Sequence, residues 1–167
     1  MAAIIIELKE DILYTSPAEM MEKIIHEIYP SLFAMATELV TLAGRLSQRG
    51  IEQDLGVPAE KIFRETDALY RKEKLVLFPF IAGLLRDLKR SESCTPFKNV
   101  KMHYTALLAL LRSLRLELEQ FPGEEKTIIT ISSCMDDFEK KLIGLQLVKD
   151  KYLFTPLRSC TGCKRIG

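Results

Sequence analysis

Apolar residues recur every three or four positions in four long blocks of this 167-residue chain, and that spacing constrains the fold more than any other feature. Met21, Ile25, Ile28, Leu32, Met35, Leu39 and Leu42 form the first stripe, and Ile62, Thr66, Leu69, Glu73, Val76, Phe80, Leu84 and Leu88 the second. Val100, His103, Leu107, Leu110, Leu114 and Leu118 make the third; Ile128, Ile131, Phe138, Leu142, Leu145, Val148 and Tyr152 make the fourth. Positions three and four apart share one face of a helix, so each block predicts an amphipathic helix with one side toward a core. Thr127-Ile128-Ile129-Thr130-Ile131 is β-branched, but a lone strand would have no partner, so it is read as helix too.

The punctuation supports these blocks. Ser16-Pro17-Ala18-Glu19 supplies an N-cap, a proline at the first helical position and a glutamate two residues later, which together satisfy the free amides of a starting helix. Thr95-Pro96 repeats the cap-plus-proline signal, the segment 50–58 reads as a connection, and Phe121-Pro122-Gly123 ends the third block. Pro30 and Pro79 fall inside stripes, where a missing N–H predicts a bend or an interruption. Four such helices with short connections predict an all-α, antiparallel four-helix bundle over 1–158, followed by a loose tail over 159–167.

Composition narrows the function classes. With 24 Lys and Arg against 23 Asp and Glu the chain shows no electrostatic footprint for nucleic acid or an anionic membrane. The start Met1-Ala2-Ala3-Ile4-Ile5-Ile6-Glu7 lacks the basic region and length of a signal peptide, and no apolar run approaches a membrane span, so the expectation is a cytoplasmic protein. Its four cysteines are then expected as thiols, with Cys160 and Cys163 the close pair. That pair reads as a redox dithiol, as half of a thiolate metal site, or as a tail without function. Met20, Met21 and Met35 are read as core filling.

One stretch stands out. Glu73-Lys74-Leu75-Val76-Leu77-Phe78-Pro79 puts a carboxylate inside the second stripe and closes on Phe-Pro; Lys149-Asp150-Lys151-Tyr152-Leu153-Phe154-Thr155-Pro156 echoes it, with Lys149 five positions before its Phe as Glu73 is before Phe78. Together with Thr95-Pro96-Phe97-Lys98-Asn99-Val100 leading into His103, these residues resemble hemerythrin-like (HHE) domains, in particular the di-iron proteins linked to iron-sulfur-cluster repair. In that family a His and a Glu four apart, on both the second and the fourth helix, meet histidines from the other two helices and hold a di-iron centre. The resemblance implies that Glu73 corresponds to a bridging glutamate and His103 to the third-helix histidine. It also implies that Leu69 and Leu145 stand where the family has histidines, that Lys149 stands where it has the second glutamate, and that Glu22 and His26 lie near the first-helix ligand.

A chain with two histidines cannot furnish that ligand set. The expectation is therefore a degenerate member without a complete di-iron site and without assigned catalytic residues, a non-catalytic binding or regulatory module with an unknown protein partner and room for a homodimer. A buried Glu73–Lys149 ion pair is expected in place of the metal, since either charge alone would be costly to bury. His103 is expected as a core histidine bonded to a neighbour, and Tyr104 and Tyr152 as donors to the site or as packing residues. Two alternatives stay open. One is an iron-binding protein of the iron-sulfur-repair type, its residual ligands Glu22, His26, Glu73 and His103; the other is a thiol sensor working through Cys160 and Cys163. What the family implies about stress or metal signalling rests on the resemblance alone.

Overall fold

A computed structural model describes residues 16–47, 55–86, 95–120, 125–155 and 157. The apolar lead, most of the connection before the second helix, the stretch 90–94, the Phe121-Pro122-Gly123 stop and the Cys160/Cys163 tail lie outside the described residues. The rest is helical, in four rods, and no strand occurs among the described residues.

Helix α1 comprises Pro17–Lys23, a widened π turn at Ile24–Ile28, and Tyr29–Ser47. Helix α2 is built alike: Gly56–Lys72, a π turn at Glu73–Leu77, then Phe78–Arg86. Helix α3 is Thr95–Glu119, and α4 is Glu125–Val148 ending in a third π turn, Lys149–Phe154. α1 packs against α2 and α4, and α3 packs against the same two, which closes a ring around one core. The start of α1, Pro17–Lys23, lies against the last turn of α4.

The start of α1 follows the sequence signal. Ser16 Oγ accepts from the Glu19 amide at 3.3 Å, the Ser16 amide donates to Glu19 Oε2 at 2.8 Å, and Pro17 occupies the first helical position. These bonds hold the exposed Glu19 carboxyl below its usual range, the bond to the Ser16 backbone contributing most. Helix α2 begins at Gly56, two residues before Pro58, whose missing N–H falls in the first turn, where amides have no helical partner in any case.

Pro30 and Pro79 neither break nor end their helices. Each follows a π turn in which the amide just before the proline reaches five residues back: Tyr29 N–H donates to Ile24 O, and Phe78 N–H to Glu73 O. A proline ring inside an α-helix strikes the carbonyl four residues earlier. Those carbonyls, of His26 and Leu75, lie within the widened turns, so the helix goes on past the proline. The third π turn, where Thr155 N–H donates to Asp150 O, precedes Thr155-Pro156 in the same way.

The π turns also re-index the buried stripes. Beyond the turn in α2 the core residues are Leu77 and Ile81 where straight periodicity predicts Val76 and Phe80, and Val76 is 53% exposed. In α4 Leu153 is buried in place of Tyr152, and in α1 the buried positions are Ile24 and Tyr29, five apart, in place of Ile25 and Ile28. One extra residue in a widened turn shifts the buried positions there by one, while Leu32, Leu39 and Leu84 further on are buried as the spacing predicts. In α3, which has no such turn, Leu111 is buried where Leu110 was expected. Thr66 remains in the core because its hydroxyl donates to Ile62 O at 2.7 Å.

Two aromatic clusters flank the centre. Tyr29, Phe33, Phe63 and Tyr70 join α1 to α2, with the Tyr29 and Tyr70 rings edge-on at 5.0 Å. Phe97 takes Phe80 at 5.5 Å and Phe154 at 4.9 Å, both edge-on, and so pins the start of α3 to the parts of α2 and α4 beside their π turns. Such contacts contribute about 0.5–1.5 kcal/mol each beyond the area they bury.

Candidate functional site

Glu73 opens the π turn of α2 and Lys149 opens that of α4, and both are buried, at 0% and 1% exposure. Their side chains meet: Lys149 Nζ donates to Glu73 Oε1. The same ammonium donates to the Tyr104 hydroxyl at 3.0 Å and sits 4.2 Å from the centre of that ring, so α3 completes the enclosure. Tyr29 of α1 faces the same carboxylate, although neither its hydroxyl nor Glu73 Oε2 makes an aligned hydrogen bond.

Burial dominates the electrostatics here. It pulls the Lys149 ammonium below the usual lysine range, and the Glu73 carboxylate, its hydrogen bond and Asp150 pull the other way. Burial pushes Tyr104 well above the ordinary tyrosine range, with Glu73 and then Asp150 adding to it; Tyr29 is pushed up by burial, then by Glu73 and Tyr104. Burial and the neighbouring carboxylate together keep the protons of both phenols in place. Chemically the cluster is a closed, mutually neutralising set: the ammonium that answers Glu73 fills the space beside the carboxylate, and a cation at that point repels a metal.

The other sequence candidates lie elsewhere. Glu22 and His26 pair with each other at 3.1 Å on the surface, with side chains 70% and 69% exposed, and do not join Glu73. His103 is buried between α2 and α3: Lys72 Nζ lies 2.8 Å from Nδ1, and Glu65 Oε2 lies 2.7 Å from Nε2 without an aligned hydrogen bond to it. An ammonium can only donate, so in this contact Nδ1 accepts from Lys72. Tyr152 is half-buried, with Lys151 over its ring at 5.1 Å. Cys134, a buried thiol pushed up to about 11 by burial and then by Glu38 and Asp137, donates to Met35 O at 3.6 Å. Among the described residues no three His, Cys, Asp or Glu side chains gather as a metal site, and no helix is long and apolar enough to cross a membrane.

Tyr29 was not anticipated from the sequence, although Tyr29-Pro30 repeats the Phe78-Pro79 pattern and could have marked it. Glu65 and Lys72 were missed as well. Their link to His103 runs across two helices, and no spacing within one helix announces it. No family model matches this sequence, and no characterised protein or solved structure matches it at a significant level.

Proposed function

We propose that this chain is an antiparallel hemerythrin-like four-helix bundle whose central site is closed by a charge pair instead of a metal pair, and that it acts as a non-catalytic binding or regulatory module. The observation that carries this reading is the buried contact between Glu73 and Lys149, held by Tyr104. These are the positions that the resemblance assigns to the two bridging carboxylates, and Leu69 and Leu145, one turn earlier on each helix, are fully buried as metal-ligating histidines would be. The ring of four helices, with the start of α1 beside the end of α4, supports the antiparallel arrangement.

The test is metal content measured on protein purified without chelators or a histidine tag, alongside the triple variant Leu69→His, Leu145→His, Lys149→Glu. The natural chain is expected to carry no stoichiometric metal, and the variant, with a His and a Glu four apart on two facing helices, is expected to take up ferrous or cobaltous ion. Near two irons per natural chain would overturn the reading. So would a folded triple variant that binds no metal, because the positions would then not converge as a hemerythrin-like site requires.

A further inference from the structure

We propose that the groove between α2 and α3 binds a small carboxylate with an apolar body, its anionic end held by Lys72. The groove has a volume of about 400 Å³ and is lined by Glu65, Lys72, Val76, Asn99, Met102 and His103, among others. That is the size and make-up of a small-molecule site, mostly apolar walls with a few convergent polar groups. It is separate from the Glu73–Lys149 cluster and does not rest on the hemerythrin-like reading.

The sign of the ligand follows from Lys72. Its contact with His103 uses one of three ammonium hydrogens, and the partner is a ring nitrogen and not a carboxylate, so the contact orients the positive charge without cancelling it. Among the described residues no carboxylate lies within ion-pair distance of Lys72, and two hydrogens remain for a ligand. Pro96 and Asn99 belong to the first turns of α3, a 25-residue helix whose amino end carries a partial positive charge toward the same groove. His103, 94% buried, lines the groove with an Nε2 that lacks an aligned hydrogen-bond partner. Glu65 lies on the Nε2 side of the imidazole, away from Lys72, so its charge excludes an anion from that end and fixes the orientation of the ligand.

The apolar body is called for by the walls. Val76 and Met102 are 53% and 70% exposed at the groove, large side chains left in water that an aliphatic chain would cover. The rotation imposed by the π turn of α2 is what turns Val76 outward to this place.

Hexanoate, hexanol and hexylammonium serve as probes in an NMR titration of the full chain labelled with ¹⁵N. Hexanoate is expected to give saturable shifts in the amides near Lys72, Val76, Asn99 and His103, while the alcohol and the amine bind more weakly. Lys72→Met is expected to weaken hexanoate about tenfold or more, the scale of one charge-assisted hydrogen bond. Val76→Glu, at an exposed position, places a negative charge at the wall and is expected to weaken it independently. Hexanol binding as tightly as hexanoate, binding unchanged in both variants, or no saturation in the millimolar range would each overturn the proposal.

Discussion

Helix α2 carries two polar clusters eight residues apart, and they differ in one respect. Glu73 meets Lys149 and Tyr104 where water does not reach, whereas Glu65 and Lys72 clamp His103 at the edge of a groove, with Lys72 itself exposed. Both sets put a carboxylate and an ammonium beside a ring. In the first, each charge is tolerable only because the other is present; in the second, Lys72 is exposed and Glu65 half-buried, so solvent can take over for either charge if it is lost. The comparison separates a cluster that holds the fold in one arrangement from a cluster free to exchange partners.

The sharpest way to break this contrast is to remove one charge from the core. Lys149→Met or Glu73→Leu alone should destabilise the protein by about 3–5 kcal/mol, because the remaining charge stays buried without its partner. The double variant should recover most of that loss and end within about 1 kcal/mol of the natural chain or above it, since an apolar pair has no charge to dehydrate. Denaturant unfolding of the two single variants and the double variant measures the coupling. Additive losses would mean that the two side chains do not depend on each other.

The phenols around the pair give the next effect. The unfolded chain releases tyrosine protons from about pH 10, while the folded chain keeps those of Tyr29 and Tyr104. Above that pH the folded state therefore binds more protons than the unfolded state, and stability falls as pH rises. Lys149, whose folded value is lowered, contributes in the opposite sense, one group against two. The tyrosinate absorbance reached before alkaline unfolding should fall short of the five tyrosines by two, and Tyr104→Phe should flatten the decline. Full tyrosinate absorbance in the folded protein would show that water reaches the cluster.

A third, smaller effect belongs to neither cluster and calibrates both. Ser16→Ala removes the side-chain acceptor that closes the first turn of α1 and should cost about 1 kcal/mol by the same unfolding measurement.

Helix existence and capping were legible because both depend on local spacing: the Ser16-Pro17-Glu19 start and the four apolar stripes are present much as read. The residues facing the core were legible in most of each stripe, Leu32, Leu39 and Leu84 beyond the π turns included, but not within the turns or just after them. Val76, Phe80 and Tyr152 are misplaced by one position for a single reason, that each lies in or just beyond a widened turn, whose extra residue a straight helical count cannot include. Glu73 and Lys149 escaped the error because each opens its π turn and so still follows the phase of the helix before it. The contacts of His103 were illegible for a different cause. The sequence shows a histidine on an inner face, but Glu65 and Lys72 reach it from the neighbouring helix, at a register that packing alone decides.

The smallest expected effect tests the comparison from the open side. Lys72→Met removes an exposed ammonium whose hydrogen bond to Nδ1 water can replace, so the loss should stay below about 1 kcal/mol. The imidazole keeps its Nε2 beside Glu65, so the helices need not move. A loss approaching that of Lys149→Met would mean that the groove charges are as dehydrated as those of the core. The two clusters would then be one kind of structure, and a groove that cannot do without Lys72 could not offer it to a ligand. A small loss of stability together with a large loss of hexanoate affinity is the combination that keeps the two regions distinct, because it locates the work of Lys72 in binding and that of Lys149 in folding.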